Sequence, residues 1–183
     1  MSPSQSEFTV LRQTIAARGT VRMALLPVTV IGWTSITAAL LQGSTVPGLL
    51  SLVSLSVLIA GFEAIHALNV GVERIGRYLQ VYYEGRAADG PMWETTAMSV
   101  GPGLPGGGID PLFTVVFVAA SALNLALAVP ELRTMTELVT VIPVHAIFWI
   151  RVIRARGAAA RQRAVDLETF RAVKSGQDHA RHD

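Results

Sequence analysis

The sequence predicts an all-α integral membrane protein with four transmembrane helices, and three observations support this fold class. Among 183 residues, 51% are hydrophobic and only 15% are charged. Four runs approach the roughly 20 apolar residues that a helix needs to cross the hydrocarbon core of a bilayer. The basic residues lie mainly on one side of these four runs. The composition is therefore that of a helical membrane protein rather than of a soluble domain.

The distribution of Lys and Arg predicts the orientation of the four spans. Three of the 15 basic residues lie before the first span, three between the second and third spans, and eight at and after the end of the fourth, whereas the two short turns hold only one. Segments on the cytoplasmic side of a membrane carry such an excess of Lys and Arg. We therefore expect both termini and the long loop to lie in the cytoplasm, and the membrane to be the bacterial inner (cytoplasmic) membrane.

The first element is a polar tail over residues 1–22, followed by a span over 23–42. Phe8, Leu11 and Ile15 recur at helical spacing among arginines, which is typical of a short helix that lies in the headgroup layer. A frayed tail that only supplies positive charge is the alternative. The apolar run that starts at Met23 has span length, so we expect it to be retained rather than cleaved as a signal peptide.

The second span, over residues 48–72, belongs to a longer predicted helix that runs from Gly48 to Glu84. Thr45 and Pro47 provide a cap and a first-turn residue for it. A helix of this length would measure about 55 Å, against about 30 Å for the hydrocarbon core. Its second half is therefore predicted to extend into the cytoplasm.

This long helix has two distinct faces. One face, here called the polar stripe, holds seven residues at steps of three or four: Glu63, His66, Asn69, Glu73, Arg77, Gln80 and Glu84. The neighbouring small-residue face holds Ser56, Ala60, Ala64, Ala67 and Gly71. Because small side chains let helix backbones approach closely within a membrane, we expect another helix to pack against the small-residue face.

The remaining elements follow from turn and cap signals. Residues 86–110 form a loop rich in Gly and Pro, of a length that is usually functional or mobile. Asp110 and Pro111 begin a third span over 112–129, in which Ala119, Ala122 and Ala126 offer small contact positions. Thr134 and Glu137 have the spacing of a capping box before a fourth span over 136–153. A basic cytoplasmic segment, 154–183, completes the chain and is expected to contain a separate polar helix.

Glu63 is the first candidate functional residue, because it is predicted to lie about 20 Å below the outer edge of the hydrocarbon core. A carboxylate at that depth is costly unless it is paired or neutral, and it marks a functional site by default. Glu63, His66, Asn69, Glu73 and Arg77 together are the candidate ion path. The structural alternative is that Glu63 and His66 satisfy each other and a neighbouring helix, while Glu73 and Arg77 form a helical ion pair.

Metal and haem sites are weaker hypotheses. Glu63 and His66 match half of the Glu-x-x-His pattern of di-iron bundles, but no other span contains a carboxylate well inside it. Asn124 and His145 are further polar residues within spans. A haem between His66 and His145 would need them at similar depths, yet their predicted depths differ by more than ~10 Å. We therefore expect no metal and no cofactor.

Five arginines at and after the end of the fourth span are candidates for contact with lipid headgroups: Arg151, Arg154, Arg156, Arg161 and Arg163. Clusters of this kind attract anionic lipid at about 1 kcal/mol per charge. The lipid bilayer itself, with its anionic lipid, is therefore one predicted partner. Anchoring is the expected role of the cluster.

Several functions are excluded or disfavoured by the sequence. Cysteine is absent, which excludes disulfides and thiol nucleophiles. The G-x-G-x-x-G pattern over 101–106 follows no strand, so it does not predict a nucleotide site. A net charge of +2 is too small to indicate nucleic-acid binding. No nucleophile, base and orienting residue occur as a set, so the sequence does not predict an enzyme.

Two functional classes remain, with an intramembrane enzyme or haem protein as a distant third. In the first, copies of the chain assemble so that the polar stripe lines a proton or cation path. In the second, the chain is a structural or accessory subunit of a membrane complex, and the stripe forms hydrogen bonds between helices. Because four spans bury little interior of their own, both classes predict a homo-oligomer or another membrane subunit as partner.

Overall fold

The computed structural model describes residues 3–43, 48–84, 92–100 and 111–179, and its regular structure is helical throughout these ranges. Five α-helices follow in order: α1, Pro3–Leu41; α2, Ser51–Tyr82; α3, Trp93–Val100; α4, Pro111–Ala128; and α5, Met135–His179. A short 3₁₀ turn, Val129–Glu131, follows α4. Four segments are long and apolar enough to cross a membrane, and they lie in α1, α2, α4 and α5. The predicted helical class is confirmed, as is the presence of four helices long and apolar enough to cross a membrane.

Two helices are longer than the sequence predicts. The tail over 1–22 is not a separate helix, because α1 continues from Pro3 through the first span to Leu41. The fourth span and the polar helix after it likewise form one helix, α5, of 45 residues. A single glycine near each expected boundary, Gly19 or Gly157, costs only about 1 kcal/mol relative to alanine. That cost is too small to end a helix.

The second helix, α2, is slightly shorter than predicted at both ends. It begins after a turn in which the Ser51 N–H donates to the Gly48 carbonyl oxygen at 3.2 Å. It ends where the N–H groups of Tyr83 and Glu84 both donate to the Leu79 carbonyl oxygen. The predicted cap at Thr45 and Pro47 lies outside the described residues. With 32 residues, α2 is about 48 Å long, so it still exceeds the hydrocarbon thickness.

The capping box before the fourth span is confirmed. The Thr134 hydroxyl accepts from the Glu137 N–H at 3.2 Å, and the Glu137 carboxylate accepts from the Thr134 N–H at 2.9 Å. These reciprocal bonds satisfy backbone donors that a helix start otherwise leaves open. The third span ends at the 3₁₀ turn that contains Pro130. Asp110, its predicted cap, lies outside the described residues.

The loop predicted over 86–110 contains the helix α3. Glu84 caps the start of α3, because its carboxylate accepts from the N–H groups of Glu94 at 2.6 Å and Thr95 at 2.7 Å, and from the Thr95 hydroxyl at 2.6 Å. A carboxylate at this position also interacts favourably with the helix dipole. The glycine-rich run over 101–108 lies outside the described residues.

The chain divides into two compact units. The first, here called the span unit, comprises residues 22–67 and 111–155. The second, here called the charged unit, comprises residues 1–21, 68–110 and 156–183. Most of each apolar span therefore falls in the span unit, whereas most of the polar stripe falls in the charged unit.

The core of the span unit is aromatic and closely packed. Phe62 is buried and contacts the rings of Phe117 and Phe148 edge-on, with centroids 5.4 and 5.9 Å away. Helices α1 and α2 approach closely where Gly61 faces Thr29. A Cβ at Gly61 would lie 2.2 Å from the Thr29 hydroxyl oxygen, so only glycine fits at this crossing.

Within the described residues, the predicted packing of the small-residue face is found only at Gly71, where a Cβ would lie 2.5 Å from the Arg18 guanidinium of α1. Ser56, Ala60, Ala64 and Ala67 are all exposed in the span unit or at its edge. The small positions predicted on the third span, Ala119, Ala122 and Ala126, are exposed as well. Small residues favour close helix contact, but lipid is as apolar as leucine, so their spacing does not tell which face is covered.

Candidate functional site

In the span unit, an arginine of α5 pairs with a carboxylate of the polar stripe. The Glu63 carboxylate forms an ion pair with the Arg151 guanidinium at 2.8 Å. That guanidinium also lies over the Phe62 ring, 5.6 Å from its centroid. The two charged side chains remain 43% and 38% exposed. Arg151, predicted to contact lipid headgroups, therefore serves as the partner of Glu63.

His66 does not pair with Glu63. Its ring stacks on Phe62, with centroids 6.0 Å apart and planes at 3°. Its Nδ1 atom is buried and has no hydrogen-bond partner among the described residues. The half motif Glu63-x-x-His66 thus directs its carboxylate to an arginine. Within the described ranges, no three His, Asp or Glu side chains lie together as a set of metal ligands.

In the charged unit, the stripe residues pair with α3 and α5. Glu73 contacts Arg163 of α5 at 3.8 Å, and Arg77 contacts Glu94 of α3 at 3.1 Å. Arg77 is only 4% exposed, and its guanidinium also donates to the Gln80 side chain at 3.1 Å. The Glu73–Arg77 pair predicted from helical spacing does not form. Partners on other helices replace it, since Glu73 contacts Arg163 and Arg77 contacts Glu94.

Glu94 of α3 contacts arginines from two other helices of the charged unit. Its carboxylate binds both Arg77 and Arg12, the latter at 3.3 Å. Gly76 makes room for it, since a Cβ there would lie 2.7 Å from a Glu94 carboxylate oxygen. Burial raises the pKa of Glu94 above its ordinary value, and the attraction of Arg77 and Arg12 offsets only part of that rise.

The beginning of α1 is bound to the end of α2 by further polar contacts. The Tyr78 hydroxyl donates to the Glu7 carboxylate at 2.9 Å, and the Tyr83 hydroxyl donates to the other oxygen of the same carboxylate. Phe8 packs against the Tyr83 ring at 5.5 Å. On α5, Asp166 accepts from Arg74 at 3.2 Å. Of the three apolar residues predicted to lie in the headgroup layer, Phe8 therefore contacts the end of α2.

Two further residues of the polar stripe are buried or hydrogen-bonded within the chain. Asn69 is buried at 2% exposure, and Glu84 caps α3 as described above. Of the five arginines predicted to contact lipid, Arg151 and Arg163 bind stripe carboxylates. Arg154 and Arg161 are exposed, whereas the Arg156 side chain lies outside the described part of the structure. The cluster is thus divided between internal ion pairs and exposed charges.

A buried hydrogen-bond network joins all four helices of the span unit. Asn124 of α4 stands at its centre and is 1% exposed. Its side-chain oxygen accepts from the Ser54 hydroxyl at 2.6 Å and from the Trp33 indole at 3.3 Å. Its side-chain nitrogen donates to the Ser51 carbonyl oxygen at 3.0 Å and to the His145 ring at 3.2 Å. We call this set the Asn124 network.

The contacts of His145 fix its tautomer. Its Nδ1 atom lies 2.8 Å from the Val141 carbonyl oxygen, which only accepts, so Nδ1 carries the proton. Its Nε2 atom then accepts from the Asn124 amide. Both ring nitrogens are therefore engaged, and neither is open to bind a haem iron. The ring completes the Asn124 network, as expected of a histidine that bonds a neighbouring helix.

Together, the four apolar helices and the paired polar residues within them define the class: a helical protein whose four long apolar helices suit a membrane. No protein-family model, curated protein or solved structure matches the chain.

Proposed function

We propose that this chain is a structural or accessory subunit of a membrane complex, without transport or catalysis of its own. The observation that carries the proposal is that the charged residues of the polar stripe each have a partner in the same chain. Glu63 binds Arg151, Glu73 binds Arg163 and Arg77 binds Glu94. Residues that line an ion path must exchange such contacts with the permeating ion, whereas these pairs connect helices.

The surface that supports assembly is the exposed small-residue face of α2. Ala60, Ala64 and Ala67 surround Glu63 at helical spacing, and Glu63 with Arg151 keeps part of its surface exposed. A carboxylate and a guanidinium side by side form a self-complementary patch under two-fold symmetry. The partner in this proposal is therefore a second copy of the chain, which would cover the ion pair and pack closely on the alanines.

The mass of the assembly in detergent or in lipid nanodiscs tests this proposal. The wild type should be an oligomer, and Ala64→Leu should shift it to the mass of one chain, because the larger side chain holds the helix backbones apart. Ala38→Leu on α1 is the matched control, since Ala38 is also exposed. It should leave the mass unchanged. A monomeric wild type, or an Ala64→Leu protein of unchanged mass, would refute assembly through this face.

For the orientation, we propose that both termini and α3 lie in the cytoplasm of a bacterial cell and that the spans cross its inner membrane. The excess of Lys and Arg outside the short turns supports this orientation. Because the chain has no cysteine, single cysteines at Ser44, Ser99 and Ser175 can be treated with an impermeant thiol reagent in intact cells. Only the Ser44→Cys protein should be labelled. Labelling of the other two instead would reverse the orientation.

A proton or cation path is the second candidate, favoured by the partial exposure of the Glu63–Arg151 pair and by the buried Nδ1 atom of His66. In this proposal Glu63 is the residue of the path that the permeating proton or cation contacts. Liposomes that contain the wild type should then pass protons faster than empty liposomes do, and Glu63→Gln should abolish the difference. Wild-type liposomes as tight as empty ones would eliminate this candidate and favour the accessory role.

A further inference from the structure

A cavity of about 360 Å³ lies in the charged unit, where the end of α2 meets α3 and the last turns of α5. Its lining residues are Gln80, Val81, Thr95, Arg171, Lys174 and Ser175. The volume falls within the range of small-molecule sites. Five of the six lining residues have polar side chains, so the cavity suits a polar ligand.

The basic wall of the cavity belongs to one face of α5. Arg171, Lys174 and Ser175 stand at positions i, i+3 and i+4, so their side chains lie side by side. Gln80 and Thr95 provide the opposite wall. Two lining residues also contact the polar stripe: the Gln80 amide oxygen accepts from Arg77, and Thr95 donates to Glu84. Arg171, Lys174 and Ser175 take no part in the ion pairs of the stripe.

Within the part of the chain that the structure describes, the two cations at the cavity have no carboxylate partner. Arg171 is exposed and forms no ion pair or hydrogen bond with the described residues. Lys174 donates to the Val81 carbonyl oxygen at 2.7 Å and lies over the Tyr82 ring, so its ammonium keeps donors available. Four other arginines of the charged unit do contact carboxylates: Arg12, Arg74, Arg77 and Arg163. Among the described residues, no carboxylate therefore pairs with these two cations.

The nearby acidic group does not neutralise these cations. Glu84 contacts Thr95, but its carboxylate accepts three hydrogen bonds at the start of α3 and stabilises that helix end. The hydroxyl hydrogens of Thr95 and Ser175 are already donated, to Glu84 and to the Ala172 carbonyl oxygen. Their oxygens can therefore only accept. The available donors are the Arg171 guanidinium, the Lys174 ammonium and the Gln80 amide.

We propose that this cavity binds a phosphate ester that carries free hydroxyl groups. Arg171 and Lys174 contact the phosphate, for which a planar guanidinium and an ammonium are the preferred ligands. The hydroxyl oxygens of Thr95 and Ser175 accept from the hydroxyls of the ester. A soluble glycerol phosphate and the headgroup of phosphatidylglycerol share this chemistry.

In the test, the full-length protein in a neutral detergent is titrated with glycerol 1-phosphate, and calorimetry measures the binding. In parallel, the protein is placed in nanodiscs of phosphatidylcholine with a minor fraction of phosphatidylglycerol. Native mass spectrometry then identifies the lipid that the protein retains. At least one of the two probes should bind saturably. Binding of glycerol 1-phosphate alone identifies a soluble ester as the ligand, and selective retention of phosphatidylglycerol alone identifies the lipid.

The variants separate the cavity from general charge attraction. Arg171→Gln should weaken binding about tenfold or more, because a charge-assisted contact is lost while no hydrogen bond or ion pair with the described residues is disturbed. Arg161→Gln is the matched control, since Arg161 is an exposed arginine of the same helix that does not line the cavity. It should leave binding unchanged. Failure of both probes to bind the wild type, or equal weakening by the two variants, would overturn the proposal.

Discussion

The Asn124 network should be a main source of stability in the span unit, and Asn124→Leu tests this. Leucine has a similar volume, so the substitution removes hydrogen bonds without opening a large cavity. Four bonds are lost, to Ser51, Ser54, Trp33 and His145. Hydrogen bonds between helices in a membrane contribute about 0.6 kcal/mol each on average. The free energy of unfolding should therefore fall by about 2 to 2.5 kcal/mol.

The control for Asn124→Leu is Ser121→Ala, which removes one buried bond. The Trp149 indole donates to the Ser121 hydroxyl at 3.1 Å, and Ser121 is fully buried. Its loss should cost only about 0.6 kcal/mol. Reversible unfolding by SDS in mixed micelles, followed by far-ultraviolet circular dichroism, measures both variants. A loss for Asn124→Leu no larger than that for Ser121→Ala would refute the idea that this network holds the four helices together.

Three further predictions concern other contacts. Gly61→Ala should destabilise the protein by about 1 to 3 kcal/mol in the same assay, because its Cβ would overlap Thr29. Gly32→Ala is the control and should be tolerated, since its Cβ would lie 3.4 Å from Val57, an ordinary contact distance. Because its pKa is raised, Glu94 holds its proton to a higher pH in the folded protein than in the unfolded chain. The stability that the protonated form contributes is therefore complete below about pH 4.5 and is lost as pH rises through the raised pKa. Thermal melts across that range should therefore show the wild type losing stability relative to Glu94→Gln, and parallel profiles would contradict this. Arg151→Glu should lower the unfolding midpoint and Glu63→Arg with Arg151→Glu should recover part of it, whereas additive losses would exclude their pairing.

Local signals allowed much of the fold to be predicted from the sequence. The apolar runs gave the four spans because the thickness of a bilayer fixes their length. The capping box at Thr134 and Glu137 involves neighbours in the chain, so its spacing was sufficient. The continuity of α1 and α5 was missed, since polar composition changes at Arg22 and Arg154 without any residue that ends a helix.

The partners of the site residues could not be predicted because they are distant in the chain. Asn124 was recognised as a polar residue within a span, but its contact Trp33 lies 91 residues away. Glu94 was missed because a loop rich in Gly and Pro gives no periodic signal. Arg151 was assigned to lipid since position alone does not show which way α5 turns it. The alanines of α2 are predicted to contact a helix but are exposed. Because lipid and helix surfaces are equally apolar, the sequence does not show which of the two covers them.

The central claim is that α5 of the same chain completes the polar stripe of α2. Because the chain has no cysteine, a variant with Glu63→Cys and Arg151→Cys can be treated with a short bis-maleimide in membranes, with each single variant as control. The contact between these two positions predicts that the double variant gives a crosslinked single chain, which migrates faster on a denaturing gel. Crosslinks between chains alone would show that a neighbouring copy completes the stripe and would contradict the claim.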